Sequence, residues 1–443
     1  MKDSNAKSLN QSDHANSRRQ FCKNVALASG ISILPFHPGT YGIPERKFNN
    51  TDQITEMTNP YPKSIIGPYG PWLAQSRQDP GQYSFRHSQY SDVQQWKHKI
   101  TPIVAEHLAS PDLNYTPVPR VIKKYQYDNL EIEELEWTLP YGHPTKAVLL
   151  KPAGTSKPLP GILGLHDHGG NKYFGLRKIT RTSDDQHQMM QDHQNQYYEG
   201  RAWANEIAKR GYAVLVHDVF TFASRRVRYD EISEISWGVA STKGKSDSDP
   251  ELKENIDEYN AWAAAHEHVM AKSLFCGGTT WPGMFLLEDR IALSVLAGRE
   301  DVDENRLGCA GLSGGGLRTD MLGGLDERIK CAVSVGFMST WDDFMLHKSY
   351  THTWMTYVPL LPAHLEFSEI LALRMPLPTM VQSTTEDQLY TLPEMKRAAQ
   401  ILEDNFTKAG ASHALSFRFY PGPHQFNATM QEDAFNWFDR WLK

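Results

Sequence analysis

The residues Gly311-Leu312-Ser313-Gly314-Gly315 follow the pattern G-x-S-x-G. In that pattern a serine stands on a tight turn between a strand and a helix, its hydroxyl exposed for attack on a carbonyl carbon. The glycines supply room, because side chains two positions to either side would collide with neighbouring backbone. A helix beginning at Gly314 directs unpaired N–H groups and its positive end at the serine, which suits an anion forming there. The Lys-Ser/Thr of a phosphate loop and the G-x-G-x-x-G of a dinucleotide site are both missing here. The chemistry implied is nucleophilic acyl transfer, which needs no metal and no organic cofactor.

Such a serine needs a base, and the base needs an orienting acid. His424, in Pro421-Gly422-Pro423-His424-Gln425-Phe426-Asn427, falls after the last strand-like run and before the closing helix. The acid candidates are Asp387 and Glu386, after the run Pro378 to Gln382, with Asp342 or Asp343 after the preceding strand as a third choice. His166-Asp167-His168-Gly169-Gly170 follows another apolar run and can aim a backbone N–H from around His168 and Gly169 at a substrate oxygen. Gly314 supplies the second N–H. A rival reading makes His166, Asp167 and His168 metal ligands. Neighbouring positions on an extended chain point to opposite faces, however, and no further ligand cluster stands out.

These residues need a scaffold. Val121 to Tyr127 and Leu130 to Leu139 form a predicted hairpin around Asp128-Asn129, followed by a strand over Lys146 to Lys151. Pro160 to His166 and Tyr212 to Val219 are continuous apolar runs, as expected of strands buried on both faces. Helices are predicted over Trp203 to Arg210, Ile256 to Met270 and Ile291 to Ala297, with Ser233 to Pro250 a polar loop. Arg306 to Ala310 leads into the serine turn. After it, Leu317, Met321, Leu322 and Leu325 recur at helical spacing and predict one buried face. Lys330 to Val335, Pro378 to Gln382 and Ala414 to Tyr420 complete the strands, and Met430, Phe435, Phe438, Trp441 and Leu442 mark a final amphipathic helix. Strands alternating with helices indicate an α/β domain with a mostly parallel central sheet flanked by helices.

The 443 residues divide into residues 1–36, 37–115 and 116–443. Ser17-Arg18-Arg19-Gln20-Phe21-Cys22-Lys23 before the apolar run Val25 to Phe36 has the layout of a twin-arginine export signal, which places the protein in the periplasm or outside the cell. The run is too short to span a bilayer, so no transmembrane segment is expected, although an uncleaved signal could anchor the chain. Residues 37–115 are rich in Pro, Tyr, Trp and Gln and form an N-terminal extension with one helix, from about Ser91 to Leu108. The formal net charge is −6 with both signs scattered, and the absence of a basic stripe argues against nucleic acid as a partner. Of the four cysteines, Cys309 and Cys331 fall in strand-like runs and read as small buried residues.

Residues 121–443 resemble the dienelactone-hydrolase-like and acetyl-xylan-esterase-like branch of the α/β-hydrolases. The matching pieces are Leu165-His166-Asp167-His168-Gly169-Gly170, Gly211-Tyr212-Ala213-Val214-Leu215-Val216-His217-Asp218, Val302-Asp303-Glu304-Asn305-Arg306-Leu307-Gly308 with the serine turn, Glu386-Asp387-Gln388-Leu389-Tyr390, and His424-Gln425-Phe426-Asn427. The resemblance implies the α/β-hydrolase fold with Ser313 as nucleophile, Asp387 as acid and His424 as base. It further implies ester substituents of carbohydrates or related small esters as substrates. One departure matters: true dienelactone hydrolases use cysteine where this chain has Ser313. The segments Thr221 to Gly283 and Trp341 to Met375 exceed minimal connections and are expected to shape the pocket. Within them Arg225, with Arg226 and Arg228, could bind a carboxylate, and Trp341 and Trp354, with Trp281, could stack on sugar rings. A serine peptidase or amidase of the same fold and a non-catalytic carbohydrate-binding relative are the alternatives.

Overall fold

The computed structural model describes residues 63–443 apart from 114, 248 and 249. The export-signal reading therefore lies outside the described residues. A nine-stranded sheet runs in the order β1-β2-β3-β5-β4-β6-β7-β8-β9. Its strands are β1 (Arg120–Tyr127), β2 (Leu130–Trp137), β3 (Thr145–Pro152), β4 (Leu159–Leu165), β5 (Ala213–His217), β6 (Val302–Leu312), β7 (Ile329–Val335), β8 (Thr379–Thr384) and β9 (Leu415–Tyr420). Strands β1, β2 and β3 pair antiparallel, and β3 pairs antiparallel with β5. From β5 to β9 every pair is parallel. Strands β5 and β8 are buried along their whole length; in β5 this shows as an unbroken apolar run, whereas β8 carries Thr379, Gln382, Ser383 and Thr384.

The order reverses between β4 and β6. In open α/β sheets the crevice at the carboxyl ends of such neighbouring strands binds ligands. Register fixes the rest. Leu165 pairs with Gly311, so the turns that follow β4 and β6 lie side by side. Thr384 pairs with Tyr420, so the loops carrying Asp387 and His424 do too.

The helices are α1 (Tyr69–Ser76), α2 (Val93–Leu108), α3 (Gln188–Tyr198), α4 (Trp203–Lys209), α5 (Lys253–Cys276), α6 (Trp281–Ala297), α7 (Gly314–Leu325), α8 (Phe367–Ala372), α9 (Leu392–Lys408) and α10 (Ala428–Leu442). Asp92 caps α2 by accepting from the Gln94 and Gln95 amides, and Trp96, Ile100, Val104 and Leu108 face the core. At its far end the Thr280 hydroxyl donates to the Leu108 carbonyl at 2.6 Å, and a Cβ on Gly283 would lie 2.2 Å from that oxygen. The segment before β1 is thus seated on α6.

Several elements differ from the sequence reading. Helices α5 and α6 run longer than the predicted Ile256 to Met270 and Ile291 to Ala297. Helices α3 and α9 have no counterpart in it. Helix α7 is buried from Gly315 to Leu325 on every side, not along one face. Glycines make this possible: Gly324 lets the Ile370 carbonyl of α8 approach to 2.2 Å of where a Cβ would stand. Cys309 and Cys331 are buried and unpaired, and Cys276 is exposed and unpaired.

Candidate active site

Ser313 has φ 59° and ψ −119°, a backbone region that costs a non-glycine residue about 1–3 kcal/mol. The surroundings impose it. The Ser313 amide donates to the Val335 carbonyl at 2.8 Å, and the Ser313 carbonyl accepts from the Leu317 amide at 2.9 Å. Cβ atoms on Gly311 and Gly315 would lie 2.4 and 2.1 Å from the Leu165 carbonyl oxygen. Only glycine at both positions lets β4 and the helix start close around the serine.

On one side of Ser313, the Nδ1 of His424 is 2.6 Å from Asp387 Oδ2, and Asp387 Oδ1 accepts from the Leu389 amide at 2.9 Å. The other ring nitrogen, Nε2, is buried and has no partner among the described residues. Gly336, at φ 60°, leaves room for this ring: a Cβ there would stand 3.0 Å from His424 Cε1. The other acid candidates lie elsewhere. Glu386 is exposed, Asp342 pairs with Arg77 and Arg397, and Asp343 binds Ser339 and Thr391.

On the other side lies the turn after β4. A Cβ on Gly314 would stand 3.0 Å from the His168 amide nitrogen, so the start of α7 and this turn face each other at close range. The three residues proposed above as metal ligands are engaged separately. His166 Nδ1 lies 3.0 Å from the Asp167 carbonyl. The Asp167 carboxylate holds His193 and the Tyr198 hydroxyl. His168 Nε2 reaches Glu267 of α5 at 3.2 Å, while its Nδ1 accepts from the Gly170 amide. Burial alone would raise the Asp167 carboxyl, but His193 and Lys178 hold it below the usual carboxylate range. Burial lowers the His168 imidazole despite Glu267. Among the described residues, no group of three His, Cys, Asp or Glu side chains is placed to hold a metal ion.

Ser313, Gly314, His168, Gly169 and His424 line one cavity of about 310 Å³. Its remaining wall is largely apolar, with Leu312, Leu317, Phe337, Met355 and Leu389, and no Lys or Arg lines it. None of the six residues expected at the substrate, Arg225, Arg226, Arg228, Trp281, Trp341 and Trp354, is among its lining. Arg225 is buried against Glu288 at 2.7 Å and against backbone carbonyls of the β2–β3 connection, so its charge is already consumed. Trp341 is a core residue whose Nε1 donates to the Leu365 carbonyl. Trp354 is 39% exposed and turns outward, while its neighbours Thr353, Met355 and Thr356 line the cavity. Tyr197 and His352 line it without having been singled out. Tyr197 lies on the polar helix α3, edge-on to His424 at 6.4 Å. No residue pattern in that helix marks it.

The fold is shared with known proteins. Residues 286–443 match the model of the prolyl oligopeptidase family. A candidate hydrolase of Bacillus subtilis (strain 168), YtaP, is 25% identical over 299 residues, which are 67% of this chain and 83% of that protein. Among solved structures, a candidate acetyl xylan esterase from Bacteroides fragilis NCTC 9343 superposes with a TM-score of 0.57 at 18% identity, covering 80% of this chain and 83% of that one. A glucuronoyl esterase from Solibacter usitatus gives 0.54 at 14% identity, over 81% and 97% of the two chains. With the strand order, the reversal between β4 and β6 and the strained serine between β6 and α7, these likenesses place the chain among the proteins of the α/β-hydrolase fold.

Proposed function

We propose that this protein is a serine carboxylic ester hydrolase acting through an acyl-enzyme. The observation that carries the reading is the His424–Asp387 pair, with its unpartnered Nε2 in the wall of the cavity that holds Ser313. Ser313 attacks the ester carbonyl while His424 Nε2 takes the hydroxyl proton. Asp387 holds the ring in the required tautomer and stabilises the imidazolium. The Gly314 and His168 amides, with Gly169 beside them, receive the oxyanion. His424 then protonates the leaving alcohol, and water releases the acid by the same steps in reverse.

An apolar cavity without cations suits a neutral ester. The likeness to carbohydrate esterases favours ester substituents of sugars over free acids. Export to the periplasm or beyond, resting on Arg18, Arg19 and the apolar run after them, fits a polysaccharide-derived substrate. The test is product release from aryl acetates and from a panel of acetyl, methyl-uronate and feruloyl esters, by the wild type and by Ser313→Ala. Equal rates for the two proteins would end the proposal. The match to the prolyl oligopeptidase family supports a second reading, an amidase or peptidase. Turnover of peptide anilides without turnover of any ester in the panel would select it.

A further inference from the structure

We propose that Lys178 is a positioning residue for the oxyanion turn: buried behind it, its ammonium fixes two peptide planes so that the His168 and Gly169 amides face Ser313. The inference rests on the serine-hydrolase reading of that site.

Lys178 closes the short helical turn Leu176–Lys178, and its side chain is wholly buried. Lysine is almost never fully buried without a charged partner. Among the described residues no carboxylate lies within ion-pairing distance; Nζ instead donates to the Asp167 and His168 carbonyls, each at 2.8 Å. In a trans peptide the N–H points opposite to the C=O. The Asp167 carbonyl shares its plane with the His168 amide, and the His168 carbonyl shares its plane with the Gly169 amide. Anchoring both oxygens on Nζ therefore turns both N–H groups away from it. On that far side stands Gly314, whose Cβ position is 3.0 Å from the His168 nitrogen. The His168 amide has no acceptor among the described residues, so it is free to donate to a substrate. A third side of the ammonium is covered by the Phe222 ring, 4.8 Å from Nζ.

A charge in this place also acts on the reaction. It polarises both peptides and adds positive potential where negative charge develops, and inside a water-poor site such an effect persists. Burial lowers the Lys178 ammonium to about 8; Asp167 and Asp218 oppose the shift, while Arg318 and Lys172 add to it. His166 and His168 are the other titratable groups beside it, and burial disfavours a charge on either ring.

The experiment compares Lys178→Met with wild type by two readouts. One is the rate at which a fluorophosphonate labels Ser313, which requires the oxyanion donors but no substrate. The other is kcat and KM for an aryl acetate. Labelling and kcat are expected to fall about 10- to 100-fold, with KM within about threefold, because only the transition state uses the turned amides. Wild-type kcat is expected to decline above about pH 8, and that limb disappears in the variant. A folded variant with both rates within about twofold of wild type overturns the proposal. If that variant does not fold, Lys178→Gln, whose shorter, uncharged side chain lacks the ammonium, is measured by the same two readouts, and rates within about twofold of wild type overturn the proposal. A wild type that labels but hydrolyses no ester sinks the esterase reading while the labelling rates still decide the role of Lys178.

Discussion

Two of the His–Asp pairs at the carboxyl end of the sheet, His424–Asp387 and His217–Asp289, differ in one nitrogen. In His424–Asp387 the Nδ1 side is bound at 2.6 Å and Nε2 has no partner, beside Ser313. In His217–Asp289 the ring is spent on both sides. Nδ1 contacts the Asp218 carbonyl at 3.0 Å and Nε2 contacts Asp289 at 2.9 Å, with Arg318 beside both. His217 is fully buried, and Arg318 joins the pair to the His166 carbonyl at 3.2 Å. Burial alone would raise the Asp289 carboxyl, but Arg318 and His217 hold it low. The first arrangement can accept a proton during a reaction. The second is an ionic brace beneath β4 and β5. A His–Asp contact by itself therefore does not mark a site; the proposed roles of His424 and Ser313 rest on the unsatisfied nitrogen in the wall of the serine's cavity.

The largest expected separation of the two pairs comes from the bases. His424→Ala should lower kcat for esters by about 10⁶ while leaving the melting temperature near that of wild type. Steady-state turnover and a thermal scan on the same preparation check this. A variant retaining a tenth of the activity would remove His424 from the mechanism.

Next come the acids of the first pair. Asp387→Asn should cost about 10⁴ in kcat, because the amide favours the wrong tautomer of His424. Glu386→Gln, on the exposed neighbour, should stay within about twofold. A reversal of that order would move the acid to Glu386.

The brace should respond in the opposite currency. Asp289→Asn strips the buried Arg318 of its counter-charge and should destabilise the fold by about 3–5 kcal/mol. Denaturant unfolding measures it, and activity per folded molecule should fall far less than in Asp387→Asn. If Asp289→Asn were stable but inactive, the contrast between the pairs would be wrong.

The smallest effect concerns a buried acid that belongs to neither. Asp320, inside α7, is fully buried, and only the nearby Ser334 hydroxyl counters that burial. Burial raises its carboxyl well above the ordinary range. The unfolded chain releases this proton from about pH 4 while the folded chain keeps it, so stability drains away as pH rises from there to the folded value. Asp320→Asn should flatten that slope without changing ester turnover. Melting curves at several pH values test it, and an unchanged slope would refute the neutral state of Asp320.

Much of the scaffold was legible because burial leaves its mark on composition. The strands β4 and β5 are buried on both faces and stand out as short apolar runs between polar turns. The elbow residues were legible for a steric reason, since Gly311 and Gly315 touch the Leu165 carbonyl and tolerate no Cβ. Helix α3 was not. Its sequence QMMQDHQNQYY has few apolar residues, because its inner face carries polar groups such as His193 and Gln194 that hydrogen-bond behind the turn after β4. Arg225, Trp341 and Trp354 show the converse limit. Residue type alone suggested sugar or carboxylate contacts, but a long side chain in an irregular segment points wherever its neighbours allow.

The sequence by itself determined the strand–turn–helix around Ser313, the mostly parallel sheet, and the placing of Asp387 and His424 after the last two strands. Those depend on local sterics and on burial periodicity, which act within a few residues. Only the tertiary structure separated Asp387 from Glu386, Asp342 and Asp343, left one nitrogen of His424 open and closed both of His217. It also carried Lys178 behind the turn after β4 and, among the described residues, kept Lys and Arg out of the cavity wall. Those outcomes depend on register between strands and on which residues distant in sequence meet, and no pattern along the chain records that.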